Sequence, residues 1–240
     1  MLFVVDLPPG IETCLFDLDG VLTRTAAVHA AAWKEMFDAY LRERAEREGV
    51  PFVPFDEGSD YARYVDGRPR LAGVTTFLDA RGIVRDPEVD RELADRKNVL
   101  VLGLIRERGV EVFEGSVRFL RAAEKEGYRR AVVPSSANAG EVLEVTGLRG
   151  LIEVVIDGLV AEREGLAGKP APDTFLAGAR ALGTAPEQCA VFEDALAGVA
   201  AGRAGGFGLV VGVDRLDQAR ALEEAGAHRV VRDLAELVRT

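Results

Sequence analysis

The chain has 240 residues, 48% hydrophobic and 29% charged, which excludes wholesale disorder and leaves room for a large core carrying a smaller inserted domain. Forty acids against thirty bases leave a net charge of −10 with no basic block or stripe, so neither nucleic acid nor a membrane surface is expected as a partner. No run of about 18 apolar residues is present to span a bilayer, and MLFVVDLPPG lacks the basic region and cleavage site of a secretory signal, so a cytoplasmic location is expected.

The first element is a short apolar run, Thr13-Cys14-Leu15-Phe16, which stops at once in DLDG and reads as a buried strand ending in a loop. From about Thr25 to Arg108 the pattern is helical. Trp33, Met36, Phe37, Tyr40 and Leu41 form one stripe, with His29 a turn earlier on the same face. Gly49-Val50-Pro51 ends that helix. A Pro/Gly/Asp-rich stretch follows to Arg68-Pro69-Arg70, and further helices are expected near 72–81 and 87–108.

The rest alternates. Helices near 115–126, 139–146, 172–182, 195–204 and 215–225 interleave with strands near 130–133, 152–156, 189–192, 208–211 and 229–232. Such alternation predicts an α/β core: a mainly parallel, doubly wound, Rossmann-like sheet with helices on both faces. The expected division is a core of residues 1–24 and 108–240 and an inserted all-helical cap of residues 25–107. Ligands of such sheets bind beyond the carboxyl ends of the strands, where the insert departs.

Four features fall at those ends. Asp17 and Asp19 project to one side as the first strand stops; unpaired they would repel, which suits one ionised nucleophile and one proton donor. A divalent cation would relieve the repulsion and polarise a phosphoryl oxygen. Gly20 lets the chain turn sharply past the pair. Val133-Pro134-Ser135-Ser136-Ala137-Asn138 offers hydroxyls and backbone N–H groups to phosphate oxygens. Lys169 opens KPAPD, where prolines pre-set the backbone. The thirty bases include only four lysines, at 34, 97, 125 and 169, so a retained lysine hints that its point charge is wanted. Finally Glu193-Asp194 end an apolar strand and precede the small residues Ala195, Ala197 and Gly198, which allow close approach. Cys14 and Cys189, each in a strand-like run, are expected to be buried reduced thiols.

FDLDGVLTRT, VVPSSAN, GKPAPDTF and FEDALAG, in that order and with a helical insert after the first, resemble the haloacid dehalogenase superfamily of aspartate-nucleophile phosphotransferases. HAAAWK at 29–34, VDGRPR with Gly73-Val74, and Arg96-Lys97-Asn98 are similar to the cap of its β-phosphoglucomutase-like branch. The resemblance implies Asp17 as nucleophile, Asp19 as general acid/base and Lys169 as the charge-balancing lysine. It implies Mg²⁺ held by Asp17, the carbonyl of Asp19 and Asp194, with Glu193 beside them. Ser136 and Asn138 match positions near the phosphate; His29, Trp33, Lys97 and Asn98 match cap positions near the sugar.

The chain departs from the family at four places. Arg24 replaces an acid, Pro134 a Ser or Thr, Thr75-Thr76 a cap arginine, and Ala137 a basic residue. Ser135 is the hydroxyl available to stand in at Pro134, and Arg24, Arg68 or Arg70 could replace the lost cap charge. The resulting expectation is a Mg²⁺-dependent phosphotransferase, β-phosphoglucomutase-like, acting on a small phosphorylated metabolite such as a sugar phosphate, as a monomer or weak dimer. The alternatives are a sugar-phosphate phosphatase and, further off, a haloacid dehalogenase or a non-catalytic sugar-phosphate-binding relic.

Overall fold

In a computed structural model, which describes residues 4–66 and 68–239, the elements run in chain order as follows. β1 (Val4–Val5) and β2 (Thr13–Phe16) precede α1 (Ala26–Glu48), α2 (Arg70–Ala80) and α3 (Pro87–Arg108). Then come α4 (Glu114–Lys125), β3 (Arg129–Val132), α5 (Ala139–Val145), β4 (Val154–Val155), α6 (Gly158–Glu164) and α7 (Asp173–Ala181). The chain closes with β5 (Cys189–Glu193), α8 (Leu196–Ala204), β6 (Leu209–Val213), α9 (Ala219–Ala225), β7 (Arg229–Val231) and β8 (Val238–Arg239). It divides into two compact units, residues 1–24 with 110–240 and residues 25–109.

In the first unit, six strands among the described residues form a parallel sheet in the order β4-β3-β2-β5-β6-β7. This is the doubly wound α/β core expected from the alternating pattern. The chain builds outward from β2 through β3 to β4, then returns to the other flank of β2 with β5. The order therefore reverses between β2 and β5, and crevices at such switch points hold ligands. β2, β5 and β6 are buried along their whole length, which is why they read as unbroken apolar runs. Phe16 and Phe192, paired in register, stack at 4.8 Å beneath the site. Cys14 and Cys189 are buried free thiols on these neighbouring strands, and burial pushes both pKa values up, that of Cys189 to about 12.

The structure differs from the sequence reading at α6, at α9 and at the pair β1–β8. Helix α6 has no buried residue and so no apolar stripe to mark it in the sequence; it forms on the cap of Asp157, whose side chain accepts from Leu159 and Val160 N–H. Helix α9 starts at 219 rather than 215. Asp214 accepts the N–H groups of Leu216 and Gln218, and Asp217 lies at φ 53, outside helical space. The pair β1–β8 is antiparallel and only two residues long, too short to announce itself.

The second unit is helical. Trp33, Met36, Phe37 and Leu41 of α1 are buried with Phe55, Phe77 and Leu78 in one core. Phe37 lies 5.3 Å from Trp33 and 4.1 Å from Phe77. The proline-rich stretch after α1 is tied down: Asp38 accepts from Phe55 N–H at 2.7 Å, and Lys34 Nζ donates to Asp38 and to Phe55 O at 2.9 Å each. Lys34 is thereby accounted for structurally. α3 starts on Asp86, which accepts from Glu88 N–H at 2.8 Å, with Pro87 in the first turn. Among the described residues no helix is long and apolar enough to cross a membrane.

Candidate active site

Asp17 N–H donates to Phe192 O at 2.9 Å, so the ladder runs one residue past β2 and sets Asp17 at its tip beside β5. The chain then folds back: Leu22 and Thr23 N–H donate to Leu18 O at 2.9 and 3.0 Å, and Gly20 N–H donates to Thr23 O at 2.8 Å. Gly20 is required here twice. Its φ is 83°, and a methyl added to it would lie 1.8 Å from Asp194 Oδ2. The Asp194 carboxylate thus lies against the backbone of the turn that carries Asp17 and Asp19.

Lys169 reaches the same point from the loop before α7, where its peptide bond to Pro170 is cis. Nζ donates to Asp17 Oδ1 at 2.5 Å and to Glu193 Oε1 at 2.7 Å, and it lies 4.8 Å over the Phe175 ring. The three side chains are only 5%, 10% and 2% exposed for Lys169, Asp17 and Glu193. Glu193 Oε2 accepts from Ala195 N–H at 2.8 Å. The first turn of α8 packs so closely that a methyl on Gly198 would lie 1.8 Å from Glu193 Oε1, which explains the small residues after this strand. Burial works against the Lys169 charge, but Asp17 and Glu193 outweigh it and hold the ammonium pKa above its ordinary value. Burial raises the pKa of Asp17; the charge of Asp19 pushes the same way and Lys169 opposes. Glu193 is raised as well, chiefly by burial, because two carboxylates share one ammonium.

Asp17 and Glu193 share one ammonium, the charge of Asp19 acts on Asp17, and Asp194 lies against the Gly20 turn, a gathering of carboxylates whose charge a divalent cation would offset. Their oxygens are the hard donors that Mg²⁺ takes. Among the described residues no group of three or more His, Cys, Asp or Glu side chains is arranged to hold a metal. Asp17 and Asp194 follow the neighbouring strands β2 and β5, and their carboxylates, with the backbone carbonyl of Asp19, are the oxygen donors that the family resemblance implies. Glu193, expected beside them, accepts from Lys169 Nζ on Oε1 and from Ala195 N–H on Oε2.

Val133 N–H donates to Phe16 O at 2.7 Å, which brings the loop after β3 to the same edge of the sheet. Pro134 is buried there, and Ser135 and Ser136 are partly exposed. Ser136 Oγ accepts from Asn138 N–H at 3.2 Å, and Asn138 is buried.

In the helical unit Lys97 is buried and donates from Nζ to His29 Nδ1 at 2.8 Å. An ammonium has no acceptor, so Nδ1 is bare and the imidazole proton sits on Nε2. Burial drives the His29 pKa well below its ordinary value, and the Lys97 charge adds to this. Trp33, expected near substrate, is 2% exposed in the helical core, with the Lys97 ammonium 4.9 Å over its ring. Asn98 is partly exposed on α3. Arg70 opens α2, and its Nη1 is buried without a hydrogen-bond partner.

The His29 geometry carries a pH prediction. The unfolded chain takes up a proton near pH 6.5 that the folded histidine refuses, so stability falls as pH drops below that value. The expected slope from this group is about 1.4 kcal/mol per pH unit, and urea unfolding of His29→Gln should show a pH dependence shallower by that amount between about pH 6.5 and 5.

Two side chains outside the expected set also reach the acid loops. Arg215 Nε donates to Gly20 O at 2.7 Å, and Gln218 Nε2 donates to Asp194 O at 3.1 Å. Their one sequence signal was their place just after an apolar strand of the same sheet.

Residues 11–206 match the family described as haloacid dehalogenase-like hydrolase. The chain is 51% identical to a β-phosphoglucomutase of Mycobacterium tuberculosis, over 98% of this chain and 94% of that protein. It is 29% identical to a phosphorylated carbohydrates phosphatase of Thermotoga maritima, over 92% of this chain and 94% of the relative. The crystal structure of β-phosphoglucomutase from Clostridium difficile superposes with a TM-score of 0.77 at 25% identity, covering 95% of this chain and 93% of that one.

Proposed function

From the membership of this chain in the haloacid dehalogenase-like hydrolase family, we propose that this enzyme is a β-phosphoglucomutase-like phosphotransferase acting on a sugar phosphate. The observation that carries the proposal is Lys169 Nζ, shared between Asp17 and Glu193 at the switch point of the sheet. A buried carboxylate is a poor anion by itself; the lysine keeps Asp17 ionised and aims it. Asp17 attacks phosphorus and becomes the aspartyl-phosphate. Asp19, two residues on, protonates the leaving oxygen and takes a proton from the incoming one. Ser135, Ser136 and Asn138 hold the phosphoryl oxygens. A Mg²⁺ ion held by Asp17, Asp194 and the Asp19 carbonyl would, when bound, neutralise phosphoryl charge.

The helical unit is proposed as the cap. Its His29 carries a neutral Nε2–H, held in that tautomer by Lys97, and Asn98 follows Lys97 on α3. Arg70, whose Nη1 is buried without a partner, is proposed to grip the substrate's distal anion in place of the missing cap arginine. Thr75 and Thr76 offer no substitute, since both hydroxyls donate back to Ala72 O. If Arg70 does not take that place, the second reading holds, a sugar-phosphate phosphatase, in which water discharges the phospho-enzyme. The buried thiols Cys14 and Cys189 suit a cytoplasmic enzyme, working as a monomer or weak dimer.

The test is incubation with β-glucose 1-phosphate, Mg²⁺ and a catalytic amount of the bisphosphate, following glucose 6-phosphate and free phosphate together. The proposal expects glucose 6-phosphate to exceed phosphate. Phosphate alone would support the phosphatase reading, and neither product would remove both.

Pro134 offers neither a side-chain donor nor a backbone N–H. Pro134→Ser is therefore expected to be near neutral, because Ser135 has taken the role. Ser135→Ala should lower kcat/KM by about ten- to a hundredfold, the worth of one charge-assisted hydrogen bond. The reverse pattern would assign the hydroxyl's task to no residue of this loop.

A further inference from the structure

The loop joining β6 to α9 touches both acid loops. Arg215 Nε donates to Gly20 O at 2.7 Å, and Nη2 lies 3.5 Å from Val21 O. Gln218 Nε2 donates to Asp194 O at 3.1 Å. The loop is itself rigidly built. Asp214 is buried and accepts from Leu216 and Gln218 N–H at 3.3 and 2.8 Å, while its own N–H donates to Val231 O at 2.8 Å. Arg215 is further fixed by Nη1 donating to Arg232 O at 2.8 Å and by the Phe113 ring 3.5 Å below its guanidinium.

Phe113 belongs to the same construction. Its N–H donates to Leu22 O at 3.0 Å, and Arg24 N–H donates to Glu111 O at 2.8 Å. The Arg24 guanidinium lies 4.2 Å from the centroid of the same ring. Arg24, which replaces an acid of the family pattern, thus packs on the aromatic that seats Arg215.

We propose that Arg215 and Gln218 are positioning residues: they form a brace across the carboxyl ends of β2 and β5 that sets the spacing between the Asp17–Asp19 turn and Asp194, and so sets the affinity for the divalent cation. The inference rests on the metal-dependent reading above. The physical reason is direct. The turn at Gly20 has φ 83° and holds Asp194 at van der Waals closeness, so a small shift of either backbone changes the distance between the two carboxylates. A planar guanidinium hydrogen-bonded to two carbonyls of one loop, on a scaffold that also grips the other, limits that shift. Arg215 touches no reacting atom and acts through the backbone carbonyl one residue after Asp19.

The test is calorimetric titration of the full chain with Mg²⁺, for the wild type, Arg215→Met, Gln218→Leu and Arg220→Met. Arg220 is an exposed residue of α9 paired with Glu224 and serves as the control. The Mg²⁺ dissociation constant is expected to rise about tenfold in Arg215→Met and about threefold in Gln218→Leu, and to stay within about twofold in the control. Both kcat at saturating Mg²⁺ and KM for the phosphate ester should hold within about threefold, so that the loss shows in the Mg²⁺ concentration giving half-maximal rate. Ethylguanidinium added to Arg215→Ala should restore the metal affinity, which it would not do for an arginine that only stabilises the fold. Unchanged affinity in both Arg215→Met and Gln218→Leu would overturn the proposal; should Arg215→Met not fold, Gln218→Leu decides alone. Wild-type chain that binds Mg²⁺ but turns over no phosphate ester removes the functional reading and leaves the brace standing. Turnover with unmoved affinities does the opposite.

Discussion

Asp17→Asn is expected to lower turnover of any phosphate ester by about 10⁴-fold or more, the scale on which losing a covalent nucleophile falls. The same variant should unfold at an equal or higher temperature than the wild type. Asp17 is buried, and the charge of Asp19 opposes its own. An amide of the same shape removes that repulsion while still accepting from Lys169 Nζ, which lies 2.5 Å from Oδ1. Gained stability with lost activity marks a carboxylate kept for chemistry rather than for folding. Turnover measured beside thermal unfolding separates the cases: activity that survives, or activity lost only through unfolding, would take the nucleophile's role from Asp17.

Lys169→Met carries the second large effect, on stability as well as rate. The ammonium is the shared partner of Asp17 and Glu193, whose side chains are 10% and 2% exposed. Removing it leaves two buried carboxylates without their counter-charge, a change that costs about 3–5 kcal/mol. The sign of its pH dependence follows from the raised carboxylate pKa values. A carboxyl whose folded pKa exceeds its unfolded value is most favourable when protonated, so its contribution is present in acid and is lost as pH rises through the folded pKa. Urea unfolding of Lys169→Met should therefore show stability recovering as pH falls from about 8 toward 5. Adding Glu193→Gln should recover part of the deficit at neutral pH, because one of the two stranded charges is gone. A variant as stable as wild type at pH 8 would mean that the two carboxylates find another counter-charge.

The fold was legible because its signals are local. β2 and β5 are buried on both faces and stop at acids, so Thr13–Phe16 followed by DLDG, and the run into Glu193-Asp194, announce strand ends on sequence alone. The stripe of Trp33, Met36, Phe37 and Leu41 gave α1, and Gly49 ended it. What was not legible depends on partners far along the chain. The resemblance sets Glu193 beside the metal ligands; nothing in the sequence says that Lys169, 24 residues away, and the nearby Ala195 N–H donate to its two oxygens. Trp33 matched a sugar-side position, yet its ring lies in the apolar core, with Lys97 over it. Arg215 carried no motif at all. It meets Gly20 across 195 residues of chain, and only the sheet order, which sets β6 beside β5, brings the two together.

The proposed mechanism requires Asp17 to carry the phosphoryl group. Borohydride reduces an aspartyl-phosphate to homoserine, so the full chain is mixed with sugar phosphate and Mg²⁺, quenched with borohydride within a single turnover, and mapped by peptide mass spectrometry. Homoserine is expected at position 17 alone, dependent on substrate and absent from Lys169→Met. Reduction at Asp19 or Asp194, or turnover of substrate with no residue ever trapped, would contradict it.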